Sequence, residues 1–296
     1  MLKVDGVFAG GGIKAFAFVG AIQALDRRNI TFDRIAGTSA GAITASLVKA
    51  GYKSYEIAQL FEELELPSLL DKNTFQFFYP FYRWLRLYRK MGLYQGEALE
   101  EWLQKRLQAK GVNTFRDLPP DSLKMVASDL TNGSLVVIPD DLPKYGIIPE
   151  NFSVARAIRM SCSLPFFFEP VKLKNKVGKE SIIVDGGVLS NFPIWLFASR
   201  YKRMKRPVLG FRLAPTQSKL EPKEINNALT MLTSMVETMR TAHDQRYISK
   251  HDAKNIVFIP AQHVSTTKFS IGEDEKKELI DVGENSTETF LRTWTY

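Results

Sequence analysis

The chain has little of several residue types that define large classes of protein. Cys162 is the only cysteine among 296 residues, so no intramolecular disulfide can form, and we expect a small buried packing residue there. No uncharged apolar run reaches the roughly 18 residues needed to cross a bilayer, and no secretory signal is apparent. We therefore expect a cytoplasmic protein that can meet a membrane only peripherally.

Histidine is also scarce, and the three that occur all lie in the last fifth of the chain, at His243, His251 and His263. No cluster of histidine, cysteine or carboxylate side chains has the spacing of metal ligands. The sequence therefore predicts neither a metal nor a cofactor.

What the chain has in quantity is apolar and basic residues. Its hydrophobic fraction of 45% can form a substantial core, and residues 1–296 are interpreted as one α/β domain. The formal net charge of +8 favours anionic surfaces, such as phospholipid headgroups or nucleic acid.

Short apolar runs alternate with helical patterns along the chain. Strands are predicted at 2–9, 32–36, 123–127, 135–138, 182–184, 208–211 and 256–259, and helices at 18–28, 42–50, 97–107 and 154–160. A further helical stripe predicts a buried face at Ile225, Ala228, Leu229, Leu232, Met235, Val236 and Met239. This alternation predicts a three-layer α/β/α sandwich with a mainly parallel central sheet and function at the carboxyl ends of the strands.

Two glycine-rich turns follow the first two predicted strands. Ser39 lies in Gly37-Thr38-Ser39-Ala40-Gly41, where small neighbours let the chain turn sharply and expose the hydroxyl, so Ser39 is the candidate nucleophile. In the first turn Gly10, Gly11, Gly12 and Ile13 precede a helix, and their N–H groups can converge on a developing oxyanion. We expect the two loops to form one pocket.

A serine nucleophile needs a base, and Asp185 is the stronger candidate. It ends a short apolar strand and is followed by Gly186 and Gly187, so its carboxylate can face a neighbouring loop. The order serine, aspartate, histidine also permits an α/β-hydrolase triad, although only two strands precede Ser39 and no histidine follows a late strand in a recognisable loop.

Together these blocks resemble the patatin-like phospholipase family. The resemblance lies in Gly10-Gly11-Gly12-Ile13-Lys14, Gly37-Thr38-Ser39-Ala40-Gly41 and Asp185-Gly186-Gly187, in family order, and it extends from about residue 4 to about 212. It implies a Ser39–Asp185 dyad without histidine, an oxyanion hole at residues 10–13, and a lipid or acyl-ester substrate. Lys14, Gly37, Gly41, Gly186 and Gly187 would support the site. Residues 213–296 match nothing recognisable and are expected to add helices and a strand.

Residues 72–95 interrupt the alternation with many aromatic residues, five basic residues and no acidic one. Helical spacing places apolar and basic side chains on different faces, as in a basic amphipathic helix. One interpretation is a cap packed on the domain. The other is a lid that contacts an anionic membrane through Phe81, Arg83, Trp84, Arg86, Tyr88 and Arg89.

Two rival functions were weighed. Gly10, Gly12 and Ala15 fit the spacing of a dinucleotide-binding loop, with Asp33 as the ribose-binding acid. A non-catalytic protein that binds lipid or nucleic acid would use the basic cluster Arg200, Lys202, Arg203, Lys205 and Arg206. Neither accounts for the serine turn together with Asp185, and no base-reading motif supports binding to nucleic acid.

Overall fold

The computed structural model describes residues 1–63, 66–69, 80–175, 177–197, 206–214, 254–261 and 272–295, with a few further positions between 225 and 238. The strands within these residues are Leu2–Phe8 (β1), Ile30–Thr38 (β2), Gly92–Tyr94 (β3), Leu123–Asp129 (β4), Ser134–Ile138 (β5), Phe166–Phe168 (β6), Val171–Lys174 (β7), Glu180–Asp185 (β8), Val208–Ala214 (β9) and Ile256–Pro260 (β10). The helices are Phe16–Arg27 (α1), Ala40–Lys49 (α2), Ser54–Glu62 (α3), Pro80–Lys90 (α4), Glu97–Ala109 (α5), Val154–Ser161 (α6) and Glu273–Thr293 (α7).

Within the described residues the central sheet has eight strands, in the order β10-β9-β1-β2-β4-β8-β7, with β5 also paired to β4. The strands from β10 to β4 are parallel, whereas β5, β7 and β8 join through antiparallel ladders. The expected α/β class is confirmed, and the sheet is mixed at its β8 side. A separate pair, β3 and β6, is parallel.

Apolar side chains cover both faces of the sheet. Successive residues of a strand point to opposite faces. Phe8 packs against the rings of Phe18 and Phe211 in the larger core, whereas its neighbour Val7 belongs to a second, smaller cluster with Phe192. A central sheet buried on both faces is the layered arrangement that the alternating pattern predicts.

Two strands meet end to end beside β4. Val126 pairs with Val137 of β5 and with Thr38 of β2, and the next residue, Ala127, pairs with Val136 of β5 and with Asp185 of β8. Because β5 occupies one side of β4, β2 and β8 share the other side. The strand β2 runs parallel to β4 and β8 runs antiparallel to it, so their carboxyl ends face each other.

Several elements differ from expectation. The strands β3, β6 and β7 were not predicted. The predicted core stripe at 225–239 is wrong at Ile225 and Met235, which are more than half exposed, and its other members lie outside the described residues. Helix α7 lies in the region expected to add helices, but its bounds were not predicted, because its buried positions at Gly283 and Thr287 are not large apolar residues.

Candidate active site

The turn after β2 holds Ser39 in a conformation that is rare for a side chain other than glycine. Its φ is 54° and its ψ is −126°, and it forms the N-cap of α2. The turn depends on close backbone approaches: a Cβ at Gly37 would come within 3.0 Å of the Gly41 carbonyl, and one at Gly41 within 3.0 Å of the Phe8 carbonyl. The sequence therefore forms a sharp turn that leaves Ser39 half-buried at the carboxyl edge of the sheet.

A second serine fixes the backbone of the nucleophile candidate. The Ser39 N–H donates a hydrogen bond of 2.9 Å to Ser161 Oγ, and the Ser161 hydroxyl donates one of 2.7 Å to the Val126 carbonyl. Ser161 is the last residue of α6 and is fully buried. It therefore ties the turn to both α6 and β4.

Asp185 lies at the end of β8 and is 4% exposed. Its N–H donates a hydrogen bond of 2.8 Å to the Ser163 carbonyl, and its Oδ1 accepts one of 2.6 Å from the Gly187 N–H. A Cβ at Gly186 would come within 3.0 Å of the Val126 carbonyl and would lie 3.0 Å from Thr38 Cγ2. The turn after Asp185 thus packs against the residue that precedes Ser39.

The thiol of Cys162 lies near both candidates. Burial raises the pKa of this thiol well above its ordinary value, and the Asp185 carboxylate raises it further. Arg159 and a hydrogen bond with the Ser39 side chain act in the opposite direction. Ser39, Cys162 and Asp185 therefore share one largely buried neighbourhood.

The glycine loop faces the same neighbourhood. The Gly10 N–H donates a hydrogen bond of 2.9 Å to the Asn191 carbonyl, and Asn191 Nδ2 donates one of 3.1 Å to the Gly10 carbonyl. A Cβ at Gly10 would lie 3.3 Å from Ser39 Cβ. Gly10 thus gives the nucleophile turn room, but its N–H is already bonded.

The next three N–H groups remain as candidate oxyanion donors. No hydrogen bond within the described part of the chain uses the N–H of Gly11, Gly12 or Ile13, whereas the Lys14 N–H donates one of 3.3 Å to the Gly11 carbonyl. Gly12 has a φ of 56°, which favours glycine. The side chain of Lys14 is half-buried in this turn.

Two of the residues of α4 that were expected to face a membrane differ in burial from the prediction. Arg86, predicted to face lipid, is instead buried and forms an ion pair of 2.9 Å with Glu169. Tyr88, predicted on the apolar face, is 86% exposed, and Arg89 is exposed. The side chains of Phe81, Arg83 and Trp84 lie outside the described residues.

The rival sites find no support in the positions of their residues. Asp33 lies on β2 level with Val4 and Asp5, four residues before Phe8, and therefore about 13 Å from the glycine end of β1. It forms an ion pair of 2.7 Å with Arg206, which also pairs with Asp5. The other basic residues of the 200–206 cluster and all three histidines lie outside the described residues.

Sequence reasoning missed three contributors: Ser161, Cys162 as a neighbour of the site, and Asn191. All three are distant from Ser39 in sequence, and their contacts depend on tertiary packing. The one available indication was the run of small residues Ser161-Cys162-Ser163 at a helix end, close to the start of a strand in the fold.

None of the helices in the described ranges is both long and apolar enough to cross a bilayer. Among the same residues, no group of three or more histidine, cysteine or carboxylate side chains could hold a metal ion.

Comparison with known proteins gives a consistent result. The sequence model of the patatin-like phospholipases matches residues 6–198. The chain is 47% identical over 295 residues to the uncharacterized protein YqhO of Bacillus subtilis, covering 100% of both chains. It is 26% identical over 205 residues to a cUMP-AMP-activated phospholipase of Escherichia coli, covering 64% of this chain and 55% of that protein.

Among solved structures, VipD from Legionella pneumophila shares the fold with a TM-score of 0.57 at 19% identity, covering 98% of this chain and 67% of VipD. The fold and the two glycine turns define the class of patatin-like α/β proteins. This chain belongs to the patatin-like phospholipase family. Family and fold together support a lipid hydrolase.

Proposed function

We propose that the protein is a serine lipid acyl hydrolase that cleaves carboxylic esters with Ser39 as nucleophile and Asp185 as general base. The observation that carries this proposal is the meeting of β2 and β8 beside β4. Thr38, the residue before Ser39, pairs with Val126, and Asp185 pairs with the next residue of β4, Ala127. Both candidates also act on the buried Cys162 thiol, Asp185 through its charge and Ser39 through a hydrogen bond, which supports the proposal further. The intact serine turn and buried carboxylate argue against a relict site.

In the first half-reaction Asp185 takes the proton from the Ser39 hydroxyl as Oγ attacks the ester carbonyl carbon. The carbonyl π electrons move to oxygen, and the N–H groups of Gly11, Gly12 and Ile13 stabilise the resulting oxyanion. When the intermediate collapses, the carbon–oxygen bond to the alcohol breaks and Asp185 returns the proton to that alcohol. An acyl-enzyme on Ser39 remains.

In the second half-reaction Asp185 takes a proton from water, whose oxygen attacks the acyl carbon. Collapse releases the carboxylic acid, and the proton passes from Asp185 back to Ser39 Oγ. A carboxylate in water is a weak base for an alcohol, but desolvation makes it a stronger one. Covering of the site by an acyl chain would supply that desolvation.

The dyad is tested with Ser39→Ala and Asp185→Asn, assayed on a short-chain p-nitrophenyl ester and on phospholipid. Loss of either partner should lower turnover on the order of 10³-fold or more. The variants His243→Ala, His251→Ala and His263→Ala should retain activity. Retained turnover in Asp185→Asn would contradict the dyad, and loss in one histidine variant would favour a Ser-Asp-His arrangement.

Covalent trapping provides a second, independent readout. A fluorophosphonate that mimics the acyl group should modify the wild-type protein once, at the peptide containing Ser39, as mapped by mass spectrometry. Ser39→Ala should not react. A stable adduct on another serine would contradict the assignment of the nucleophile.

A further inference from the structure

Large apolar side chains lie exposed on neighbouring elements near the candidate active site. Met91 is 39% exposed, Leu164 is 36% and Phe166 is 40%, and Tyr88 lies one helical turn before Met91. The register of β3 with β6 pairs Gly92 with Phe166, so Met91 enters the small sheet beside the start of β6. We call Tyr88, Met91, Leu164 and Phe166 the entrance patch.

Two residues of the entrance patch have strained backbone conformations. Met91 has a φ of 59° and Phe166 a φ of 66°, in the left-handed region that bulky side chains rarely adopt. Such strain persists where surrounding structure imposes it, and it is found preferentially at functional sites. Here the strain lies at the starts of the paired strands β3 and β6, and both strained residues expose a large apolar side chain to solvent.

The patch is connected to the active site by a short piece of chain. The Ser163 carbonyl accepts the N–H of Asp185 in a hydrogen bond of 2.8 Å, and the preceding residue, Cys162, is hydrogen-bonded to the Ser39 side chain. Phe166 follows Cys162 by four residues, a reach of at most about 14 Å. A surface that contacts the patch therefore lies within about one acyl-chain length of the nucleophile.

Charge indicates which partner the patch fits. Arg89 and Lys90 are exposed beside Tyr88 and Met91, and residues 72–95 contain no acidic residue. Arg86 does not add to this exposed positive charge, because it is paired with Glu169. Exposed apolar side chains bordered by exposed basic residues are suited to the interface of an anionic bilayer.

We propose that the entrance patch docks the protein on anionic phospholipid surfaces, with Met91, Leu164 and Phe166 inserted among the lipids and Arg89 and Lys90 against the headgroups. The interpretation of the docked surface as the source of substrate rests on the proposed function. Docking itself does not depend on hydrolysis, and it is therefore tested without turnover.

The experiment measures cosedimentation with vesicles in the full-length Ser39→Ala background, on phosphatidylcholine alone and mixed with phosphatidylglycerol. We expect binding to the anionic vesicles. Met91→Asn combined with Phe166→Asn should weaken it at least about tenfold, since asparagine tolerates the left-handed conformation but removes the apolar side chain. Arg89→Gln combined with Lys90→Gln should weaken it about tenfold or more, with an effect that shrinks as salt rises.

Matched controls replace exposed residues of the same kinds elsewhere. Tyr55→Asn with Ile148→Asn, at positions 67% and 60% exposed, and Lys105→Gln with Lys277→Gln should leave vesicle binding unchanged. Circular dichroism and the urea midpoint confirm that each protein is folded. Equal losses in patch and control variants would overturn the proposal.

Two further outcomes would overturn it. One is failure of the Ser39→Ala protein to bind anionic vesicles. The other is a concentration-dependent dimer in sedimentation velocity that Met91→Asn with Phe166→Asn abolishes, which would assign the patch to a second copy of the chain. Failure of the proposed hydrolysis would appear separately, as absent ester turnover in a wild-type protein that still binds vesicles.

Discussion

Ser39 has a backbone conformation that is costly for a residue with a Cβ, and the surrounding residues keep it there. Conformations of this kind cost on the order of 1–3 kcal/mol. Two features of the structure maintain this conformation. Gly37 and Gly41 allow the backbone of the turn to approach itself and β1, and Ser161 accepts the Ser39 N–H. The turn therefore places a half-buried Ser39 at the carboxyl edge of the sheet at a cost in stability.

The chemistry of Cys162 is strongly altered by its surroundings. Its pKa is raised, chiefly by burial and then by Asp185, so in the folded protein it stays a neutral thiol at pH values where a free cysteine ionises. In the unfolded chain it loses its proton above about pH 8.5. The unfolded state thus binds fewer protons there, and stability must fall as pH rises.

We predict that the stability advantage of the wild-type protein over Cys162→Ala shrinks above about pH 8.5, by up to about 1.4 kcal/mol per pH unit. Urea unfolding of both proteins at pH 7.5, 8.5 and 9.5, under a reducing agent, measures the difference. Other groups titrate equally in the two proteins and cancel. A difference that does not change with pH would contradict the buried neutral thiol.

Helix α6 ends at Ser161, whose hydroxyl oxygen accepts the Ser39 N–H. This hydrogen bond couples α6 to the nucleophile turn. Removing the Ser161 hydroxyl leaves the Ser39 N–H and the Val126 carbonyl without their bonds, but does not touch the reacting groups. Ser161 is therefore a positioning residue. A hydrogen bond contributes about 0.5–1.5 kcal/mol, and a loss at the upper end of that range at the transition state corresponds to roughly tenfold in rate.

Ser161→Ala should accordingly lower kcat about tenfold with little change in KM, measured on the short-chain ester. Ser153→Ala is the matched control: it removes the N-cap of the same helix, where Ser153 accepts the Arg156 N–H, and should lower stability without changing kcat. A parallel loss of kcat in both variants would show that Ser161 acts only through the stability of α6.

Local sequence predicted the parts of the site that depend on local chemistry. The glycine turns and the acid at the end of a strand follow from short-range sterics, and the fold class that they accompany is confirmed. The direction of β8 was not predictable, because alternating strands and helices do not show which strand enters the sheet reversed. That reversal brings Asp185 to the end of β2.

Helix α4 shows the same limit at the level of a single face. The helical periodicity of a sequence shows which residues share a face of the helix, whereas tertiary contacts decide which face is buried. Glu169, distant in sequence, binds Arg86 and turns that residue inward, while Tyr88 remains outside. Ser161 and Cys162 were likewise beyond reach, since their contacts with Ser39 cross about 120 residues of chain.

Across the whole molecule, the region beyond the family match supports the region within it. Helix α7 packs on α1, which follows directly from the glycine loop, and Arg27 of α1 forms exposed ion pairs with Glu284 and Glu288. Exposed pairs of this kind contribute little. The closer contact is between backbones, because Gly20 and Gly283 lie where the two helices approach each other.

The helix contact predicts a large effect from one methyl group. A Cβ at Gly283 would come within 3.0 Å of the Ala17 carbonyl oxygen, so Gly283→Ala must push α7 away from α1 and should lower the free energy of unfolding by about 1–3 kcal/mol. This range is the net loss, after the higher helix propensity of alanine, which by itself would add up to about 1 kcal/mol. Urea unfolding with an unchanged m-value measures the net effect. Gly272→Ala, at the N-cap of α7 where an added Cβ meets nothing within 4 Å, should cost only the weaker N-cap preference of alanine, about 1 kcal/mol or less. Equal stability of Gly283→Ala and the wild type would mean that α7 is not held against α1, and that the carboxyl-terminal region does not brace the glycine loop.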